Sequence, residues 1–227
     1  MSYGARKKRA AKIVARLKEL YPLPKTELAY TTPFQLVVAV MLSAQCTDKR
    51  VNEVTKTLYK KYKRVEDFAN ADIAVLTEEL KSISYFRTKA RHVIAAAQVV
   101  RDTFSGTVPQ TEKELRMLPG VAYKSAHVIA GELFEKWEGI PTDTHVKRFA
   151  IKFDLTDNVD LTKISKDLEK LVPKKDWKYV NNGLVLYGRY VCPARKHDCR
   201  EHALTKLWPK AAQRWPSAAG TLSLDLK

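Results

Sequence analysis

What this chain lacks narrows its class. Only three of its 227 residues are cysteine, an odd and low count that argues against a secreted, disulfide-held scaffold and makes an intracellular place, cytoplasm or nucleoid, the expectation. No apolar run is long enough to span a bilayer. The opening Met-Ser-Tyr-Gly-Ala-Arg-Lys-Lys-Arg is basic but has no apolar stretch of the kind a signal peptide carries. Nothing repeats at a fixed period, and no domain is of low complexity. No run alternates polar and apolar residues as a half-buried strand does, so the pattern predicts a nearly all-α fold. Acidic residues are the last scarcity: 25 Asp and Glu stand against 41 Lys and Arg, a net charge of +16. A partner rich in negative charge follows, and nucleic acid fits better than a membrane.

What is present reads as a succession of helices. The length allows one large domain or two modest ones, each with its own core. Residues 5–20 place Ile13, Leu17 and Leu20 on one face, an amphipathic helix that Tyr-Pro-Leu-Pro and Thr-Thr-Pro interrupt. From Pro33 a segment apolar nearly all round predicts a buried helix. Thr47 or Asp48 is placed to cap the next one, which carries Val51, Val54, Leu58 and Tyr62. Further helices are expected at 66–70, 72–81, 87–104 and 111–117, then at 144–153, 161–171 and 177–188. A cysteine-bearing stretch follows at 192–208, and the tail from Pro216 is expected to be mobile.

The densest signal lies at 118–124, Leu-Pro-Gly-Val-Ala-Tyr-Lys. Pro119 and Gly120 force a tight turn, and a second helix with Ala126, Ile129, Ala130 and Leu133 on one face begins after it. Helix, glycine turn, helix is a helix-hairpin-helix, which offers backbone N–H groups to a phosphate. Lys124 falls in the first turn of the second helix. By composition it reads as a solvated lysine; by position, as a candidate nucleophilic amine. Nineteen residues later Asp143, in Pro-Thr-Asp-Thr-His-Val, stands where an N-cap is expected, at a helix mouth a substrate can reach.

Four tracts carry a resemblance: Met-Leu-Ser-Ala-Gln-Cys-Thr-Asp at 41–48, the hairpin with its lysine, Thr-Asp-Thr-His-Val-Lys-Arg at 142–148, and Leu-Tyr-Gly-Arg-Tyr-Val-Cys-Pro-Ala-Arg-Lys at 186–196. In that order, over most of residues 20–208, the chain resembles the helix-hairpin-helix DNA glycosylases, and within them the endonuclease III family. The resemblance implies a bifunctional DNA glycosylase and AP lyase of base excision repair. It would excise oxidised pyrimidines from double-stranded DNA and nick the abasic strand, with Lys124 as catalytic nucleophile and Asp143 as catalytic carboxylate. Relatives in the superfamily that act on mismatches or other lesions, or a non-catalytic DNA-binding relative, are the alternatives. Gln45 matches the residue that fills the hole left by a flipped base. Tyr85, in Ile-Ser-Tyr-Phe-Arg-Thr-Lys-Ala, stands at a second wedge position where leucine is usual, and reads equally as a core aromatic. Asp48 and His145 match positions near the pocket, with a helix cap and a supporting hydrogen bond as equal readings. Gly120 and Ala122 belong to the DNA-binding turn.

The resemblance also implies two domains: residues 26–137 as a six-helix barrel with the hairpin, and 1–25 with 138–216 as a second helical domain, leaving 217–227 as the tail. DNA would lie across the cleft between them, bound by a monomer. Two departures stand out. The family's four cysteines, spaced C-x6-C-x2-C-x5-C around a [4Fe–4S] cluster, become Cys192, Cys199, His202 and Trp208. Tryptophan cannot ligate iron, so four-thiolate ligation is excluded and no cofactor is expected, with Trp208, Leu204 and Leu207 filling the volume. Zinc on Cys192, Cys199, His202 and His197 is the sharper alternative; a Cys192–Cys199 disulfide is another. Ala122 stands where the family hairpin usually has glycine, a cost of about 1 kcal/mol or a shifted turn if φ there is positive and none if it is helical. Tyr187 replaces a common histidine.

Overall fold

The computed structural model describes residues 2–216 and 222–224. It divides into two compact units, residues 26–138 and residues 1–25 with 139–227. Among the described residues no helix is long and apolar enough to cross a membrane.

The first unit is built on α2 (Pro33–Ser43). A capping box starts it: Gln35 N donates to the Thr32 hydroxyl at 3.3 Å, while Gln35 Oε1 accepts from Thr32 N at 3.3 Å. Every residue from Phe34 to Leu42 is buried, as its continuous apolar sequence requires. Around it stand α3 (Asp48–Lys61), α4 (Val65–Ala69), α5 (Ile73–Glu79), α6 (Phe86–Thr103), α7 (Glu112–Leu115) and α8 (Tyr123–Phe134). Phe68 of α4 joins them, edge-on to Phe34 at 5.5 Å and stacked on Tyr62 at 5.1 Å. Such aromatic pairs contribute about 0.5–1.5 kcal/mol beyond the area they bury. Thr47, rather than Asp48, caps α3, its hydroxyl accepting from Arg50 N at 3.3 Å.

The second unit gathers α1 (Tyr3–Leu20), α9 (Thr144–Lys152), α10 (Leu161–Leu171) and α11 (Leu184–Tyr190). Ala10, Ile13, Val14 and Leu17 of α1 share a core with Phe149, Phe153, Ile164, Leu168 and Leu184. Arg9 ties α1 to the end of α9, donating to the carbonyls of Phe153 at 2.7 Å and Asp154 at 2.9 Å. These orphan carbonyls of a helix C-terminus need such a donor.

Two expectations change here. The helix expected over 177–188 is interrupted by a π-helical segment, Tyr179–Gly183, before α11 begins. The wider turn sits where Asn181 and Asn182 are buried, with Asn181 Nδ2 donating to Asn182 Oδ1 at 2.7 Å and Asn182 Nδ2 to Pro24 O at 3.1 Å. A tertiary partner, not local periodicity, sets it. Strands are not wholly absent either: β1 (Arg214–Pro216) pairs antiparallel with β2 (Leu222–Leu224), Arg214 opposite Leu224. Three residues are too few for alternation to register. The expected mobile tail thus contains a paired strand, and its residues 217–221 and 225–227 lie outside those described.

Candidate active-site residues and the cysteine segment

The hairpin is assembled from short-range forces. α7 begins at a capping box between Thr111 and Glu114. The chain then turns, with Val121 N donating to Leu118 O at 3.0 Å. Gly120 takes φ +84°, a conformation glycine enters without penalty. A Cβ there would also stand 2.9 Å from the His92 side chain and 3.0 Å from Met41 Cε. The turn is therefore pressed against the end of α2 and the first half of α6. Ala122 is the N-cap of α8 with φ −87° and ψ 173°. That is extended backbone, so alanine brings no strain and glycine is not required. Its side chain makes no cap hydrogen bond, which leaves the first N–H groups of α8 open to an anion. Lys124 is exposed one residue into the helix.

The same unit holds both wedge candidates, in matching backbone states. Gln45 is exposed with φ +54°, and Tyr85 has φ +58°. The Ser84 hydroxyl donates to the Gln45 carbonyl at 2.8 Å and ties one loop to the other. Left-handed conformations at two non-glycine residues cost on the order of 1–3 kcal/mol each and persist only where surroundings enforce them. Tyr85 is 66% exposed, which rules out its reading as a core aromatic. Lys89, missed in the sequence, is buried and donates through Nζ to Leu42 O at 2.8 Å and Ala44 O at 2.6 Å. It satisfies the carbonyls at the end of α2 and holds the chain that leads into Gln45. Burial pulls its ammonium below the ordinary lysine range. Its signal was in the pattern: Lys89 falls on the same α6 face as Val93, Ala96 and Val100.

In the other unit Asp143 is the N-cap of α9. Its Oδ1 accepts from His145 N and Val146 N, each at 2.9 Å, and the cap does not use Oδ2. The carboxylate is thus oriented by one oxygen. His145 is half-buried where α9 passes α11. A Cβ on Gly188 would collide with its Nδ1, with Arg148 Nη2 at 2.9 Å and with Phe149 Cε2 at 3.0 Å. The Gly-Arg pair at 188–189 is therefore a close-approach point between helices. The preceding Tyr187 is fully buried, edge-on to Phe149 at 5.5 Å, and its hydroxyl accepts from Leu204 N at 3.2 Å. It anchors the cysteine segment to the helices.

That segment does not fit a [4Fe–4S] cluster. Cys192 and Cys199 are the only thiols of this unit, and the space beside them is occupied. Lys152 has no exposed surface; its Nζ stands 3.6 Å from the centre of the Trp215 ring and donates to Arg214 O at 3.0 Å. Arg148 Nη1 reaches Pro193 O at 3.4 Å. Burial lowers both cations, against the pull of the neighbouring thiols. Burial and then the charge of Cys199 push the Cys192 thiol up, against the opposing pull of Lys152 and Arg148. Trp208 packs half-buried on the core with the Arg9 guanidinium 4.1 Å from its ring centre. The fuller plug is Trp215, 8% exposed, which lies beyond the tract that the motif spacing draws attention to.

Comparison with known proteins gives these features their setting. Residues 38–174 match the model of the HhH-GPD superfamily of base excision DNA repair proteins. Endonuclease III of Synechocystis sp. is 42% identical over 208 residues, 92% of this chain and 95% of the relative. That of Escherichia coli is 33% identical, over 85% of this chain and 91% of the relative. A trapped endonuclease III–DNA covalent intermediate superposes with a TM-score of 0.82 at 33% identity, covering 88% of this chain and 94% of that one. A thermostable thymine-DNA glycosylase, at TM-score 0.75 and 21% identity, shares the fold. With a family model over more than half its length and such relatives along nearly all of it, the chain belongs to the endonuclease III family of HhH-GPD base excision DNA repair proteins.

Proposed function

We infer that this chain is a DNA glycosylase and AP lyase that removes oxidised pyrimidines from duplex DNA, as a monomer, with Lys124 and Asp143 as its catalytic residues. The observation that carries the reading is the exposed Lys124 one residue into α8, behind a Gly120 turn and a helix start with no side-chain cap. The uncapped N–H groups hold a DNA phosphate, and the +16 net charge supplies further phosphate contacts with a steep salt dependence.

The chemistry follows from the amine. The target nucleotide leaves the stack, with Gln45 and the exposed Tyr85 entering the duplex in its place. Asp48 and His145, each matching a family position near the pocket, contribute to binding the DNA. The lysine nitrogen forms a bond to C1′ of the sugar, and the base departs with the electron pair of the glycosidic bond and acquires a proton. The Oδ2 side of Asp143 takes a proton from the attacking amine and offsets positive charge growing on the sugar. Ring opening gives a protonated Schiff base. Loss of a C2′ proton then expels the 3′ phosphate, which leaves with the C3′–O electron pair. Water hydrolyses the imine and restores Lys124.

Duplexes carrying an oxidised thymine, an oxidised cytosine or a T·G mismatch discriminate the readings. Strand nicks at the oxidised bases without alkali, with a 3′ unsaturated aldehyde end, are expected. Preference for the mismatch, with nicks appearing only after alkali, would contradict the assignment.

A further inference from the structure

The segment that departs from a four-cysteine cluster carries a second arrangement. The Sγ of Cys192 and one nitrogen each from His197 and His202 all lie within 4.8 Å of one another. They come from a stretch of eleven residues with almost no regular structure, so nothing in helix periodicity brings them together. Tyr187 holds that stretch through Leu204, and the Trp215 ring closes edge-on against His197 at 5.1 Å.

The hydrogen bonding around the imidazoles says which atoms are available. His197 Nδ1 is 2.7 Å from the carbonyl oxygen of Arg195. A carbonyl can only accept, so Nδ1 carries the proton and Nε2 presents its lone pair. Nε2 is buried and has no hydrogen-bond partner among the described residues; His202 Nδ1 is in the same position. An unpaired buried nitrogen costs on the order of 1–3 kcal/mol, and here two occur side by side with a buried thiol between the same walls. Metal-ligating histidines commonly donate their second nitrogen to a backbone carbonyl, which fixes tautomer and ring orientation; His197 does so. The cations nearby bond the thiols as well as backbone: Arg148 reaches Cys192 and Pro193 O, and Lys152 reaches Cys199 and Arg214 O. They remain beside the thiols to balance thiolate charge.

We propose that Cys192, His197 and His202 form a mononuclear site for a borderline-soft divalent ion of the zinc type. One thiolate and two neutral imidazoles are the donor set such an ion takes, with the fourth position left to another donor. Tetrahedral zinc–sulfur and zinc–nitrogen bonds of about 2.0–2.3 Å put donors roughly 3.3–3.8 Å apart. The observed spread closes to that by a shift of about 1 Å, within the reach of side-chain rotation. The role is structural, pinning an irregular segment that a four-thiolate cluster would otherwise pin.

The test is metal content of the full chain purified without chelator, together with Co²⁺ reconstitution of the stripped protein. One equivalent of zinc per chain is expected, with Co²⁺ giving a sulfur-to-metal charge-transfer band and the visible bands of a tetrahedral ion. Both His197→Ala and His202→Ala should lose the metal and the Co²⁺ spectrum, while Cys46→Ser, in the other unit, keeps them. Should Cys192→Ser fail to fold, the histidine variants still decide. Absence of zinc together with no Co²⁺ spectrum, retention of metal by both histidine variants, or iron with acid-labile sulfide would each overturn the proposal.

Discussion

The turn at Gly120 and the stretch from Cys192 to Trp215 are built by opposite means. At the turn neighbouring residues set the backbone, with a glycine at φ +84°, a carbonyl at Leu118 and an N-cap at Ala122, and His92 and Met41 close on it from outside. The cysteine stretch has no regular structure before the short 3-10 turns that begin at Thr205, and residues from other elements hold it: Tyr187 from α11, Lys152 and Arg148 from α9, and Arg9 from α1. Each lies in its own unit with its own core. A locally determined motif persists only while its residues persist. A segment set by packing can exchange its ligands, provided other side chains fill the space and satisfy its polar groups.

The largest expected effect breaks the chemistry and leaves the fold. Lys124→Ala should lower strand nicking by on the order of 10³-fold or more, with an unchanged melting temperature because the side chain is exposed. Next come the two close-approach glycines, one in each unit. Gly120→Ala forces alanine to positive φ against His92 and Met41, and Gly188→Ala drives a methyl group into His145, Arg148 and Phe149. Each should cost roughly 2–3 kcal/mol, read as a fall of several degrees in thermal melting. Only Gly120→Ala should also weaken binding to a phosphate-rich duplex beyond the loss of folded protein, as measured by fluorescence anisotropy.

Tyr187→Phe removes the acceptor for Leu204 N and should destabilise by about 1 kcal/mol. In hydrogen exchange the cysteine segment should open before the hairpin does. The smallest effect belongs to Ala122→Gly. With φ at −87° the position needs no glycine, so the change should stay within about 0.5 kcal/mol and leave nicking intact. A marked gain in activity from that glycine would show that the hairpin works in another conformation.

The same contrast governs what the sequence made legible. Pro33, Thr47, Asp143 and Gly120 are local signals, and caps, turns and helix starts fall at or next to them. Residues matched by motif, from Gln45 to Lys124, sit in backbone states that suit exposed, rigidly held side chains. Lys89 was hidden because a lysine on an apolar face reads as an exception until its carbonyl partners are seen. The π-helical segment depends on Pro24, over 150 residues away in sequence. Trp215 and Lys152 meet through the fold alone. Spacing drew attention to Trp208 as the plug, and packing gave Trp215 the larger share.

The most direct measurement is borohydride trapping on a duplex that carries one abasic site. Reduction should capture a covalent protein–DNA adduct with the wild-type chain, mapped by peptide analysis to Lys124, and none with Lys124→Ala. An adduct of equal yield in the alanine variant, or no adduct with the wild-type chain, would contradict the lysine mechanism.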